Sequence, residues 1–425
     1  MFMVLTPRSG SGGDDYPDDY EPYIDTSMYP ECVTQYTTFK ELNDHKDSIP
    51  AHCMEQYIFN VEVAVMEAAL EKYKDLVNNG YDEKFKIYEG YVDEQVQDQI
   101  DAFMGSGKAD KYFKCTETKD VMCCSKCNIP QCMLDCDKSK DCNGRATVDI
   151  KCPTTLKSGS STIIAVGDHF PNATYTLQDS EGFWKDIGAE YGIEESWVKF
   201  GRRHIRSGNG CQYAGEDIKD CIDKQISGFY NYPMKDTVKV YNPKDLIGDS
   251  YDKTEDLLNR LKIVRDNADY DELMQWSDLV DAGSLPALTI QTAVESMDKI
   301  VKTAKEISKK EREEFIVNFL TGLLFFIPFV GEAAGATGLT AVRSMLRLAG
   351  AAGETGLLVH DIIEHPENAF MSVFSYLAGA GVGRAGFKNA ANARRSMKAS
   401  DIDNLGSMKV DLDLIQTVRG VTCRI

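Results

Sequence analysis

The chain has 425 residues, with 67 acidic and 47 basic side chains and a formal net charge of −20. That length leaves room for two or three domains with sizeable cores. So acidic a chain argues against nucleic-acid binding and against spontaneous adsorption to anionic lipid, because both partners are themselves polyanions.

Taken in chain order, MFMVLTPRSG opens with five apolar residues and is stopped by Thr6-Pro7-Arg8, too short an apolar run for a secretory signal. The expectation is therefore either a cytosolic chain or the tail of a longer secreted precursor. Residues 9–30 are rich in Gly, Ser, Pro and Asp and poor in aliphatic side chains. Burial cannot offset their ordering entropy, so 1–30 reads as a disordered acidic linker.

Residues 31–114 read as a helical hairpin. Ile58, Val61, Val65, Ala69, Tyr73 and Leu76 advance by three and four, Asn79-Gly80 supplies a stop, and Phe85, Tyr88, Val92, Val96, Ile100 and Phe103 restart the same stripe. Aromatic residues on such stripes are core residues rather than ligand platforms.

Residues 115–242 read as a cysteine-rich α+β module with a few short strands. The chain has 13 cysteines, and Cys115, Cys123, Cys124, Cys127, Cys132, Cys136, Cys142 and Cys152 crowd into one short stretch. Zinc is the rival to disulfides there. Cys124 and Cys127 have ligand-like spacing, but Cys132 and Cys136 are looser and the cluster holds no histidine, which favours crosslinks. Cys32, Cys53, Cys211 and Cys221 are further disulfide candidates, the last two as a local bridge, and no spacing rule chooses among the pairings. STIIAVGDHF and ATYTLQD read as short strands that could pair with each other. GFWKDIGAEYGIEESWVKFGRRHI reads as helical, Val238 to Val240 as a last strand, and Asn172-Ala173-Thr174 as a candidate N-glycosylation triplet.

Residues 243–425 read as a helical bundle. Leu257, Leu258, Leu261 and Val264 form one stripe, and a long helix is expected from about Leu285 to Phe315, with Ile290, Val294, Met297, Val301 and Ala304 along one side. A hydrophobic hairpin follows over 315–363, marked by Phe315, Phe319, Leu323, Phe326, Pro328, Phe329, Gly331 and Glu332; Phe315 to Val330 carry no charge. Pro328 interrupts it before the roughly 20 apolar residues that a bilayer crossing needs, so a hairpin buried among helices is favoured over a membrane-active one. GFKNAANARRSMKASDIDNLG and DLDLIQTVRG give two short terminal helices. The fold class is thus mainly α, with the cysteine-rich module between two helical parts.

No catalytic constellation stands out. The six histidines are scattered, His360 and His365 miss helical zinc spacing, and no G-x-S-x-G, Walker or G-x-G-x-x-G signature occurs. No metal or cofactor is expected.

Several ordered blocks carry a family resemblance: SIPAHC with LEKYKDLVNNGYDEKFKIYEGYV, DKYFKC with Cys123-Cys124-x-x-Cys127, YTLQDSEGFWKDIGAEYGIEESWVKFG, AVESMDKIVKTAKEI, and FFIPFVGEAAGATGL followed by DIIEHPENA. They resemble the region that follows the catalytic domain in fungal killer-toxin-like chitinases of glycoside hydrolase family 18, which are similar to yeast killer-toxin subunits. The resemblance implies a secreted protein associated with chitin hydrolysis or toxin delivery. Its implied partners are a family-18 catalytic domain or toxin subunit, chitin, or a target membrane. The family's D-x-x-D-x-D-x-E signature is absent. The resemblance implies a non-catalytic accessory region, or a delivery element acting through the hydrophobic hairpin.

Overall fold

The structure is a computed structural model that describes residues 31–120, 145–158, 162–165, 172–206, 226–240, 242–248, 251–267, 275–308, 384–397, 399, 402 and 408–420. Met1–Thr34 and Gln35–Ile425 form separate units. The expected linker, most of the cysteine cluster and the hairpin 315–363 lie outside the described residues.

The second unit is mainly α. Its first helix, α1 (Phe39–His45), is capped by Thr38, whose hydroxyl accepts the Glu41 N–H at 3.1 Å. Then come α2 (Met54–Asn78) and α3 (Tyr81–Phe103), divided by Gly80 at φ 78, a left-handed conformation that glycine adopts without Cβ strain. The expected stripes are inside: all of their residues are buried except Val65, which is half-buried. A π turn (Met104–Lys108) and the short α4 (Ala109–Tyr112) lead into the sheet. A Cβ at Gly105 would lie 2.9 Å from the Thr155 carbonyl oxygen, so only glycine permits that approach.

The strands are β1 (Phe113–Asp120), β2 (Arg145–Ile150), β3 (Thr155–Ser158), β4 (Thr162–Ala165), β5 (Ala173–Leu177), β6 (Val198–Arg206) and β7 (Ile226–Lys235), with α5 (Ser180–Tyr191) between β5 and β6. They form one sheet in the order β2-β1-β5-β7-β6-β4-β3; β5–β7 and β4–β6 are parallel and the other pairs antiparallel. Its core is aromatic: Phe113 meets Phe183 edge to face at 5.0 Å, and Tyr175 meets Tyr232 likewise at 5.2 Å.

Three local expectations are corrected here. The strands within STIIAVGDHF and ATYTLQD do not pair with each other: β4 lies between β6 and β3, while β5 lies between β1 and β7. The helical reading of GFWKDIGAEYGIEESWVKFGRRHI holds only as far as Tyr191, because Gly192 turns left-handed at φ 65 and Val198 onward is strand β6. Residues Val238 to Val240 are irregular; the strand lies upstream, at β7.

The remaining described helices are α6 (Asp245–Gly248), α7 (Tyr251–Asn267), α8 (Trp276–Ser308), α9 (Arg384–Arg395) and α10 (Met408–Gly420). All four stripe residues of α7 are buried. Helix α8 starts nine residues before the expected Leu285 and carries Pro286 inside it. An internal proline costs about 3 kcal/mol, and here it sits in a stretch buried on all sides, from Asp278 to Ile290. That stretch packs on α2, α3 and α9, so α8 is the central helix of the described bundle.

Candidate functional site

Three arrangements could carry function, and two of them are buried. The first ties α3 to the β6–β7 hairpin. Asp101 is 4% exposed and pairs with the Arg203 guanidinium, while Gln97 Nε2 donates to Asp101 Oδ1 at 3.0 Å. Gln97 Oε1 in turn accepts the Lys235 N–H at 2.9 Å, and Lys235 Nζ reaches Asp93 Oδ2 at 2.6 Å. Burial raises the Asp101 carboxyl above its ordinary value and Arg203 opposes that rise. Burial and the neighbouring Asp101 also push the Tyr232 phenol far up. The Asp101 partner is a guanidinium rather than the second carboxylate that glycosidic cleavage uses. Its chemistry is that of a sealed ion pair fastening a helix to a sheet.

The second lies among the helices. Arg395 binds Asp278 at 2.7 Å and Asp281 at 2.6 Å, while Arg419 binds Asp281 at 2.6 Å and Glu55 at 2.9 Å. Glu62 sits beside them, 0% exposed, with neither carboxylate oxygen hydrogen-bonded among the described residues. Arg394 is also buried, and its Nε is unpaired there.

The third is exposed. Cross-strand register puts Asp149, Thr116, Thr174 and Tyr230 in one row over β2, β1, β5 and β7. Directly opposed residues share a sheet face, so this row is continuous. Arg202 lies over the Tyr230 ring at 5.1 Å, and Lys114 bonds Asp149 at 3.0 Å. An aromatic ring, hydroxyls and both charge signs on one open face can contact a polyhydroxylated chain by stacking and hydrogen bonding.

Of the residues singled out in the sequence, Cys115 and Cys152 form a disulfide that fastens β1 to the residues after β2. Cys32 and Cys53 each take part in a disulfide. Cys123, Cys124, Cys127, Cys132, Cys136, Cys142, Cys211 and Cys221 lie outside the described residues, as do Phe315, Phe319, Leu323, Phe326, Pro328, Phe329, Gly331 and Glu332. Asn172 is exposed at the start of β5, and its Oδ1 accepts the Gly228 N–H at 2.8 Å. Sequence reasoning missed Glu62, Asp101, Asp281, Arg203 and Arg419. Glu62, four residues after Ile58, does fall on the apolar stripe of α2, the one signal that could have flagged it.

Comparison with known proteins finds likeness to two domain models and to one curated protein. Residues 133–237 match the family model described as the LysM11 alpha/beta domain, and residues 243–424 match the one described as LysM11, C-terminal domain. The chain is 27% identical over 395 residues to a protein of Penicillium expansum named "Probable chitinase LysM11", covering 87% of this chain and 32% of that protein. The chain thus spans about a third of the length of the curated relative it matches. No solved structure matches it. The resemblance to the region after the catalytic domain of killer-toxin-like chitinases agrees with all three matches. Both LysM11 matches exclude β1, the strand seated between β2 and β5, and exclude α2, on which α8 packs.

Proposed function

We propose that this chain is a non-catalytic accessory region of a chitinase-type protein, holding or presenting a glycoside hydrolase domain and touching the wall polymer on which that domain works. The observation that carries this reading is the extent of the match: the relative named a probable chitinase is matched over only 32% of its length, leaving ample chain elsewhere for a catalytic part. The absence of D-x-x-D-x-D-x-E from this sequence agrees with that division. Secretion is supported by the Cys115–Cys152 bond, since such crosslinks persist in oxidising compartments. The surface assigned to polymer contact is the row Asp149–Thr116–Thr174–Tyr230 with Arg202.

Sedimentation with insoluble chitin tests the reading. The intact chain should pellet with the polymer, Tyr230→Ala should shift it toward the supernatant, and chito-oligosaccharides should remain uncleaved. A wild-type chain left wholly in solution removes polymer contact, and turnover by the purified chain removes the non-catalytic assignment. A second reading, a membrane-active delivery element, rests on the uncharged run Phe315 to Val330. No helix among the described residues is long and apolar enough to cross a membrane. Dye release from liposomes across a wide pH range favours that reading, and its absence removes it.

A further inference from the structure

Asn172, Ala173 and Thr174 are the one Asn-x-Ser/Thr triplet of this sequence, and the fold leaves two of its polar groups unused. Parallel register sets Thr174 of β5 opposite Tyr230 of β7, so Asn172 comes level with Gly228. Strand β5 begins one residue later, at Ala173. The Asn172 side chain therefore stands in for a ladder carbonyl: its Oδ1 accepts the N–H of the buried Gly228 at 2.8 Å, so that amide is not buried without a partner. An aspartate would serve as well, since only an oxygen is needed. The amide nitrogen, Nδ2, is surplus to the fold. Among the described residues neither it nor the Thr174 hydroxyl has a hydrogen-bond partner, and Asn172 is exposed.

We propose that Asn172 is an N-glycosylation site filled during synthesis, before β7 closes on β5, and that its Oδ1 then completes the β5–β7 junction with the sugar already attached. The donor is an oligosaccharide carried on a polyprenyl pyrophosphate. The Asn172 Nδ2 loses a proton and bonds to the anomeric carbon of that sugar, while the bond from this carbon to the pyrophosphate oxygen breaks and the pyrophosphate leaves with the electron pair. Nothing is oxidised or reduced. Thr174 supplies the hydroxyl by which the triplet is read. The product is still an amide, so Oδ1 keeps its bond to Gly228, and the exposed position gives the sugar room in solvent. The timing follows from the sheet. Thr174 is paired with Thr116 of β1 on one side and Tyr230 of β7 on the other. A transferase has to draw the triplet out of line to reach Nδ2 and the hydroxyl together, and a strand held on both sides yields only when the sheet around it opens. Gly228 lies 56 positions after Asn172, so at ~5–20 residues per second the site stays open for roughly 3–11 s of synthesis. The proposal rests on the secretory reading given above, because donor and transferase belong to that pathway.

Two measurements on the full chain test this, with a secretory leader added so that the outcome speaks to Asn172 and not to how the chain is exported. Peptide mapping of the secreted chain should find sugar on Asn172, and peptide N-glycosidase should turn that residue into aspartate. Asn172→Asp should lose all N-linked sugar while keeping an oxygen for the Gly228 N–H, so this variant is expected to fold. In the second measurement the chain made without sugar is offered to the solubilised transferase and its lipid-linked donor, either native or reduced and alkylated. The opened chain should be modified at least about tenfold faster than the native one, whose triplet is reached only through opening of the sheet. An unmodified Asn172 in the secreted wild type overturns the site, as does N-linked sugar that persists in Asn172→Asp. Equal rates for native and opened chains overturn the order of events, because the closed sheet would then be no barrier.

Discussion

Asp101 and Arg203 stand 102 positions apart in the chain, yet they are the pair that closes α3 onto the sheet. Each alone looks like a surface residue, so composition and stripe analysis pass over both. Their energetic weight comes from burial: a charge stripped of its partner in a dry site costs about 3–5 kcal/mol. Arg203→Met is expected to lower unfolding stability by about that amount, as read from urea denaturation at neutral pH. The double variant in which Asp101 also becomes Leu should recover much of it, since an apolar pair of similar volume is often neutral. A single-variant loss below ~1 kcal/mol would mean that water reaches the pair.

Among the elements, helices announced themselves more clearly than strands. The stripes of α2, α3 and α7 were legible because a 3.6-residue repeat needs no partner to be recognised. Strand β1, FKCTETKD, and strand β7, ISGFYNYPMK, were not: each is half polar, and β7 has Pro233 inside it. What makes them strands is pairing, β1 with β2 and β5, and β7 with β5 and β6. The edge of the sheet depends on a crosslink. Cys115 and Cys152 are 37 positions apart, so chain entropy assigns their bond ~4 kcal/mol. Cys115→Ser is expected to lose most of that, and reductant should bring the wild type at least as low as the variant in the same melting experiment. Strand β2 should lose exchange protection first.

At the scale of the whole molecule, the matched domain boundaries cut through shared cores. The 243–424 match includes α8 but not α2 or α3, and Arg419 bonds Glu55 across 364 positions. A fragment of residues 243–424 would leave the Asp278–Ile290 stretch of α8 partly uncovered. That fragment is expected to aggregate or to bind a hydrophobic dye, while a chain spanning 35–425 melts cooperatively. Cooperative unfolding of 243–424 alone, with little dye binding, would make it autonomous. By itself the sequence determined the mainly α class, the core faces of the helices and the break at Gly80, because those follow from short-range periodicity and backbone sterics. Only the tertiary structure decided the strand order, the Cys115–Cys152 pairing, and the burial of Glu62, Asp101 and Asp281. Those depend on which distant segments meet, and a charge reveals its cost only once water has been removed from around it.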